Sequence, residues 1–123
     1  MPCLKVLTNI PKSKIPKDFF SKIIPVLSEG VRKAPEHFLC AVEGDCLLSI
    51  NGNTELPAAI ATLESIGNLG PEDNKKIVKL LSSFLQKEIG VQPDRFFLTF
   101  YDLEDYNVAK NGITIASKIK EMK

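Results

Sequence analysis

The second residue of this chain is a proline that directly follows the initiator methionine. An initiator Met before a small residue is normally removed, which would leave Pro2 as the N-terminus. A free N-terminal proline is a secondary amine with a basic lone pair on a rigid ring, whereas proline inside a peptide bond has no usable base. Such an amine can take a proton from carbon if it is neutral when substrate arrives. A generic α-amino group titrates at about 7.7–8.0, so burial or a nearby cation would bring it into range. The other reactive residue types offer less. His37 is the only histidine, so no His-based metal pair exists. Cys3, Cys40 and Cys46 are odd in number and lack CxxC spacing, which fits reduced thiols rather than a disulfide framework or zinc site. Ser65 has no partners resembling a catalytic triad. No cofactor and no metal are expected.

Composition narrows the partners. Sixteen Lys and Arg against 15 Asp and Glu leave a net charge of +1 over 123 residues, so no field draws the chain toward nucleic acid or an anionic membrane. The length suits one small domain, residues 1–123, with a modest core. Lys5, Lys12, Lys14 and Lys17 interrupt the first twenty residues, and no run approaches transmembrane length. Cytoplasmic synthesis is expected. Any protein found outside cells would have left without a signal peptide.

The elements that must hold Pro2 appear as an internal repeat. Pro35-Glu36-His37-Phe38-Leu39 lines up with Pro93-Asp94-Arg95-Phe96-Phe97, an offset of 58 residues. Each follows a helical stripe: Phe19, Phe20, Ile23, Ile24 and Leu27 in one half, Ile77, Val78, Leu81, Ser82 and Leu85 in the other. Strand-length apolar segments precede the helices, residues 3–8 and 58–65. The expected fold is α+β, with duplicated strand-helix-strand units forming a four-stranded mixed sheet and two helices on one face. Ser13 is the expected N-cap of the first helix, Pro25 should kink it, and Gly70-Pro71-Glu72-Asp73 should open the second. Gly90 should close that second helix. Residues 46–50 read as a short strand between turns, and Asn111-Gly112 as another turn. Residues 116–123 form a charged tail, a helical turn or an unstructured end. The near-continuous apolar runs at residues 38–42 and 96–100 call for cover on both sheet faces. Two helices cover one, so self-association should cover the other.

A set of short motifs then carries a resemblance. Met1-Pro2-Cys3-Leu4, Thr8-Asn9-Ile10-Pro11, Lys33-Ala34-Pro35, Glu64-Ser65-Ile66-Gly67, Pro93-Asp94-Arg95 and Asn107-Val108-Ala109 before Asn111-Gly112 resemble the macrophage migration inhibitory factor and D-dopachrome tautomerase family, from Met1 to about Ala116. Residues 117–123 extend past the family's usual end. The resemblance implies a homotrimer with active sites between subunits, acting on a small aromatic keto or enol substrate of the phenylpyruvate or dopachrome type. Pro2 would be the catalytic base and Lys33 the cation beside it. Ser65 and Ile66 would wall the pocket, with the Ile66 N–H meeting substrate. Val108 and Ile115 match lining positions.

Departures from the family pattern are equally specific. A tyrosine and an asparagine that many members supply from a neighbouring subunit correspond to Phe97 and Thr99, which removes a phenol and turns a carboxamide into a hydroxyl. Lys110 stands where some members carry tryptophan, and would add a second cation at the mouth. The CxxC of some members is missing, Ala58 to Ala61 occupying that region, which argues against thiol–disulfide activity. His37 sits where some relatives carry a rim aromatic. The resemblance also implies a cytokine-like role through a cell-surface receptor, with weak or vestigial catalysis as the alternative reading. An RNA-binding sheet shares the element order, but neutral charge and the lack of a Gly-aromatic-Gly signature near Arg95 argue against it.

Overall fold

The computed structural model describes residues 1–121. Strand β1 (Cys3–Thr8) leads through helix α1 (Phe19–Val31) to β2 (Leu39–Glu43), and β3 (Ala59–Ser65) leads through α2 (Pro71–Ile89) to β4 (Phe96–Asp102). Within each unit the strands end in one parallel sheet, β1 beside β2 and β3 beside β4. The two units join back to back through the antiparallel pair β1–β3, where Cys3 faces Glu64 and Thr8 faces Ala59. The sheet order is therefore β2-β1-β3-β4. The duplicated proline motifs form the same structure twice, a 3-10 turn with proline in its first position, Pro35–His37 and Pro93–Arg95, each opening onto a strand.

Alternation along the strands sends Leu4, Val6 and Thr8 of β1 and Ala59, Ala61 and Leu63 of β3 to the helix side, where all are buried. Phe19, Ile23, Leu27 and Val31 of α1, with Ile77, Leu81 and Leu85 of α2, complete this core at i, i+4 spacing. Each large apolar side chain so buried contributes about 1.5–3 kcal/mol. Phe19 and Phe84 meet edge to face at 5.4 Å across the two helices. Gly30 permits their close approach: a Cβ there would lie 3.3 Å from Ile77 Cγ1. Phe20 departs from the expected stripe and is half exposed.

Helix ends follow expectation in α2 and not in α1. Pro71 begins α2 with Glu72 and Asp73 in its first turn, and Gly90, left-handed at φ 71°, ends it by donating to Gln86 O and Leu85 O. Ser13 caps nothing. It lies in a separate 3-10 turn, Lys12–Lys14, and α1 starts after Asp18. Pro16 explains the break, because a residue before proline is disfavoured in the α region and Ile15 is extended at φ −80°, ψ 122°. Helix α1 continues through Pro25; Ser21, whose carbonyl loses its partner there, is exposed to water.

Residues 46–50 are irregular rather than a strand. Cys46 N–H donates to Thr8 O and Ile50 closes a bridge with Asn53, but the stretch between has no strand beside it and Leu47 is fully exposed. Asn111 and Gly112 form the expected left-handed turn, joining β5 (Ala109–Lys110) to β6 (Ile113–Thr114). Part of the charged tail is helical: α3 spans Ile115–Glu121. Among the described residues no helix is long and apolar enough to cross a membrane.

The sheet face turned away from the helices stays open in the single chain. Leu7, Leu39, Ile60, Phe97 and Tyr101 stand on it with 39–54% of their surface exposed. Leu7, Ile60 and Phe97 lie side by side at one end of this face, while Lys5, Thr62, Glu64 and Thr99 separate them from Leu39 and Tyr101. The result is a mixed surface with exposed apolar residues of the kind that associating proteins cover.

Candidate active site

Pro2 lies at the mouth of the first unit. Its carbonyl accepts the Leu39 N–H at 2.9 Å, which extends the β1–β2 ladder to the very start of the chain and fixes the N-terminus over the C-terminal end of α1. Helix α1 ends at Arg32, a non-glycine residue in the left-handed region at φ 61°, ψ 46°. That turn sends Lys33 back toward Pro2. Ser28 Oγ donates to Lys33 O at 2.7 Å and pins the backbone, while Lys33 Nζ donates to Ile66 O at 2.7 Å and pins the ammonium. Asn68 Nδ2 donates to Val31 O at 2.8 Å, tying the segment after β3 to the end of α1. Two strand ends and one helix end are thereby locked around a single lysine.

Pro2 and Lys33 share a cavity of about 380 Å³. Glu36 and His37 of the Pro35–His37 turn form one side, and Lys110 of β5 forms another. Ile115, Lys118 and Ile119 close it from α3, at the i, i+3, i+4 spacing that puts three side chains on one helix face. Met1 also borders this cavity and reaches a second groove of about 520 Å³ on the open sheet face, where Val108 lies with Cys3, Leu39 and Leu103. The two spaces share Met1 and Lys110 as their divide.

Two amines here are held below their ordinary values. Burial, and then the positive charge of Lys33, hold the Met1 α-amino group below its ordinary value of 8.0. Lys33 is itself pushed down by burial, with Asp102 opposing. Asp102 is held in place through its Oδ1, which accepts the Gly67 N–H at 3.0 Å. Cavity size alone does not locate this chemistry: a larger depression, about 720 Å³, lies beside the start of α1 among Ile15, Phe19 and Phe20, away from Pro2 and Lys33.

Pro2, Lys33, Lys110 and Ile115, all named from the sequence, line one cavity. Ser65 is buried and spends its hydroxyl on Gly67 O at 2.8 Å, so it shapes the turn after β3 rather than facing the cavity. Ile66 reaches the site through its carbonyl, held by Lys33. Val108 belongs to the neighbouring groove. Phe97 and Thr99 do not reach the cavity of their own chain, because alternation along β4 turns both to the open face, opposite Ile60 and Thr62 of β3. Glu36, Lys118 and Ile119 escaped the sequence reading, although the Ile115-Lys118-Ile119 spacing was a visible signal of a shared face. Among the described residues no group of three or more His, Cys, Asp or Glu side chains is placed to hold a metal.

Comparisons with known proteins point to one family. A family model described as macrophage migration inhibitory factor (MIF) matches residues 1–116. The macrophage migration inhibitory factor of Rattus norvegicus is 33% identical over 116 residues, covering 94% of this chain and all of the relative. The MIF-like protein mif-2 of Caenorhabditis elegans is 31% identical over 121 residues, 98% of this chain and all of the relative. The solved structure of macrophage migration inhibitory factor from Trichinella spiralis superposes with a TM-score of 0.87 at 29% identity, over 91% of this chain and 98% of that one.

Proposed function

The chain belongs to the macrophage migration inhibitory factor family, and from that premise we propose that it is a keto–enol tautomerase of the phenylpyruvate or dopachrome type, with the Pro2 amine as its base. The observation that carries the reading is the shared cavity of Pro2 and Lys33, in which burial and a like charge both disfavour a protonated amine. Removal of Met1 would place the Pro2 secondary amine where those same two influences act.

The chemistry follows from that placement. The neutral proline nitrogen takes a proton from the carbon next to the substrate carbonyl, and the C–H electron pair becomes the new C=C bond as the carbonyl π pair moves to oxygen. Lys33 carries three N–H donors, of which Ile66 O takes one, leaving two for a substrate carboxylate or the developing enolate. The prolinium then returns its proton to that oxygen, and the amine is neutral again. No redox partner is consumed. Residues 1–123 act as one domain, with 117–123 as its extension. The open sheet face pairs with further copies in a homotrimer, in which Phe97 and Thr99 of one copy reach the cavity of the next. Cytokine-like signalling through a cell-surface receptor places no further demand on the cavity.

Intact mass and a phenylpyruvate enol–keto assay test the reading together. Protein lacking Met1 should turn over, and Pro2→Ala should lower kcat/KM by about 10²–10⁴, the range for loss of a positioned base. Full activity in protein that retains Met1 would refute Pro2 as the base.

A further inference from the structure

Helix α3 does more than end the chain. The family model stops at Ala116, in the middle of the first turn of α3, yet Lys118 and Ile119 beyond it line the same cavity as Pro2 and Lys33. Their position is fixed from two sides. Ile115 N–H donates to Val108 O at 2.7 Å, which fastens the helix start to the segment before β5. Thr114 Oγ1 accepts the Ser117 N–H at 3.1 Å and pairs with Ser117 Oγ at 3.0 Å, the bonding of an N-cap to the third helical residue. With its first turn capped, α3 holds Ile115, Lys118 and Ile119 on one face directed into the cavity.

The charge balance of that cavity is unusual for a monoanionic substrate. Among the described residues, Lys33, Lys110 and Lys118 contribute three cations to the lining and Glu36 one carboxylate. Lys33 is anchored deep, by Ile66 O, whereas Lys110 and Lys118 are exposed at the mouth. With a monocarboxylate held at Lys33, Lys110 and Lys118 still outnumber Glu36 among the described residues of the lining. We propose that Lys118 makes this site selective for small keto or enol acids carrying two anionic groups, one held at Lys33 and the second at the mouth beside Lys118. The inference rests on the tautomerase reading only for the reacting keto or enol group; the charge preference is a property of binding.

Binding therefore tests it without turnover. Phenylpyruvate and phenylpyruvate bearing a para-carboxylate on its ring are titrated into the full-length protein by calorimetry, as wild type, Lys118→Ala, Lys118→Glu and the control Lys120→Ala, whose lysine is exposed and does not line the cavity. Wild type should favour the dianion, and Lys118→Ala should shrink the dianion-to-monoanion affinity ratio by about two- to fivefold, the scale of an exposed ion pair. Lys118→Glu should shrink it further, Lys120→Ala should leave it intact, and added salt should compress it. A wild type that binds neither acid, a wild type with no preference for the dianion, or a Lys118→Ala protein with an unchanged ratio overturns the inference. Loss of turnover with an intact binding preference would sink Pro2 as the base and leave this assignment standing. Turnover with no charge preference would do the reverse.

Discussion

Replacing Lys33 by Met removes the charge while keeping the length and apolar stem of the side chain, and it separates two effects. The first is anchorage. A hydrogen bond between an ionised pair contributes about 1.5–3 kcal/mol, so kcat/KM for phenylpyruvate should fall about 10- to 150-fold, at 1.4 kcal/mol per decade. The second is the tuning of the base. Activity rises with pH as the N-terminal amine loses its proton, and a depressed pKa starts that rise earlier. Burial is the larger depressing influence at the N-terminus and the Lys33 charge the smaller. Lys33→Met should therefore move the acid limb of kcat/KM to higher pH, while burial keeps it below the ordinary α-amino value. Lys33→Arg should restore the limb without fully restoring kcat/KM, because a planar guanidinium cannot reproduce the contact of a compact ammonium with Ile66 O. Folding should be little affected, since the freed carbonyl is on a half-buried residue that water can reach. Stopped-flow or absorbance assays across pH, with urea unfolding as the control, provide the test. A fall in kcat/KM smaller than threefold, or an acid limb that stays in place or moves to lower pH, would refute the reasoning.

Three further predictions address the scaffold. Burial, with Cys3 adding to it, pushes the Cys40 thiol up from 9.0 to about 11, so at pH 8 its thiolate fraction is about a hundredfold below that of an ordinary thiol; mass-resolved iodoacetamide labelling should modify Cys40 only after unfolding, and rapid native labelling would contradict this. Arg95, 6% exposed, donates to Ile50 O at 2.7 Å, Leu56 O at 2.8 Å, Asn53 O at 3.2 Å and Pro57 O at 3.3 Å, so Arg95→Met should cost about 2–4 kcal/mol in urea unfolding; a change within about 0.5 kcal/mol, ordinary for a surface site, would show that the loop needs no clamp. Light scattering should give three copies for wild type and one for Phe97→Lys, because a charge on the open face opposes its burial; a monomeric wild type or a trimeric variant would remove the argument from that face.

Legibility in the sequence followed periodicity. Strand β1 and the caps of α2 were readable because each is decided within a few residues, by alternation, by Pro71 and by Gly90. The start of α1 was not, because Ser13 is a good cap residue whose use was overruled by Pro16 three residues on. Residues 46–50 have the composition of a strand, but a strand needs a neighbour, and composition does not supply one. The site divides in the same way. Pro2 and Lys33 were legible through motifs shared with the family, and their convergence depends on the Arg32 turn and the Ile66 carbonyl, which no motif encodes. Phe97 and Thr99 are expected in the pocket of a neighbouring subunit, and β4 turns both to the open face of their own chain. Lys118 and Ile119 lie past the end of the resemblance, where helical spacing from Ile115 is the signal that they share its face.

The duplicated architecture also shows why only one of two equivalent halves can offer the proposed reactive corner. By the repeat's own offset, Lys33 corresponds to Val91 and His37 to Arg95. Val91 is fully enclosed and Arg95 is consumed in holding its own loop, so the second corner is plugged by hydrocarbon and locked by a guanidinium. Pro2 corresponds to Ile60, a residue in mid-chain with no amine to offer. A polypeptide has only one beginning, and a reaction that depends on it cannot be copied by duplicating the fold. The second half contributes supports instead of a second base: Ile66 O holds the Lys33 ammonium, and Lys110 and α3 wall the cavity.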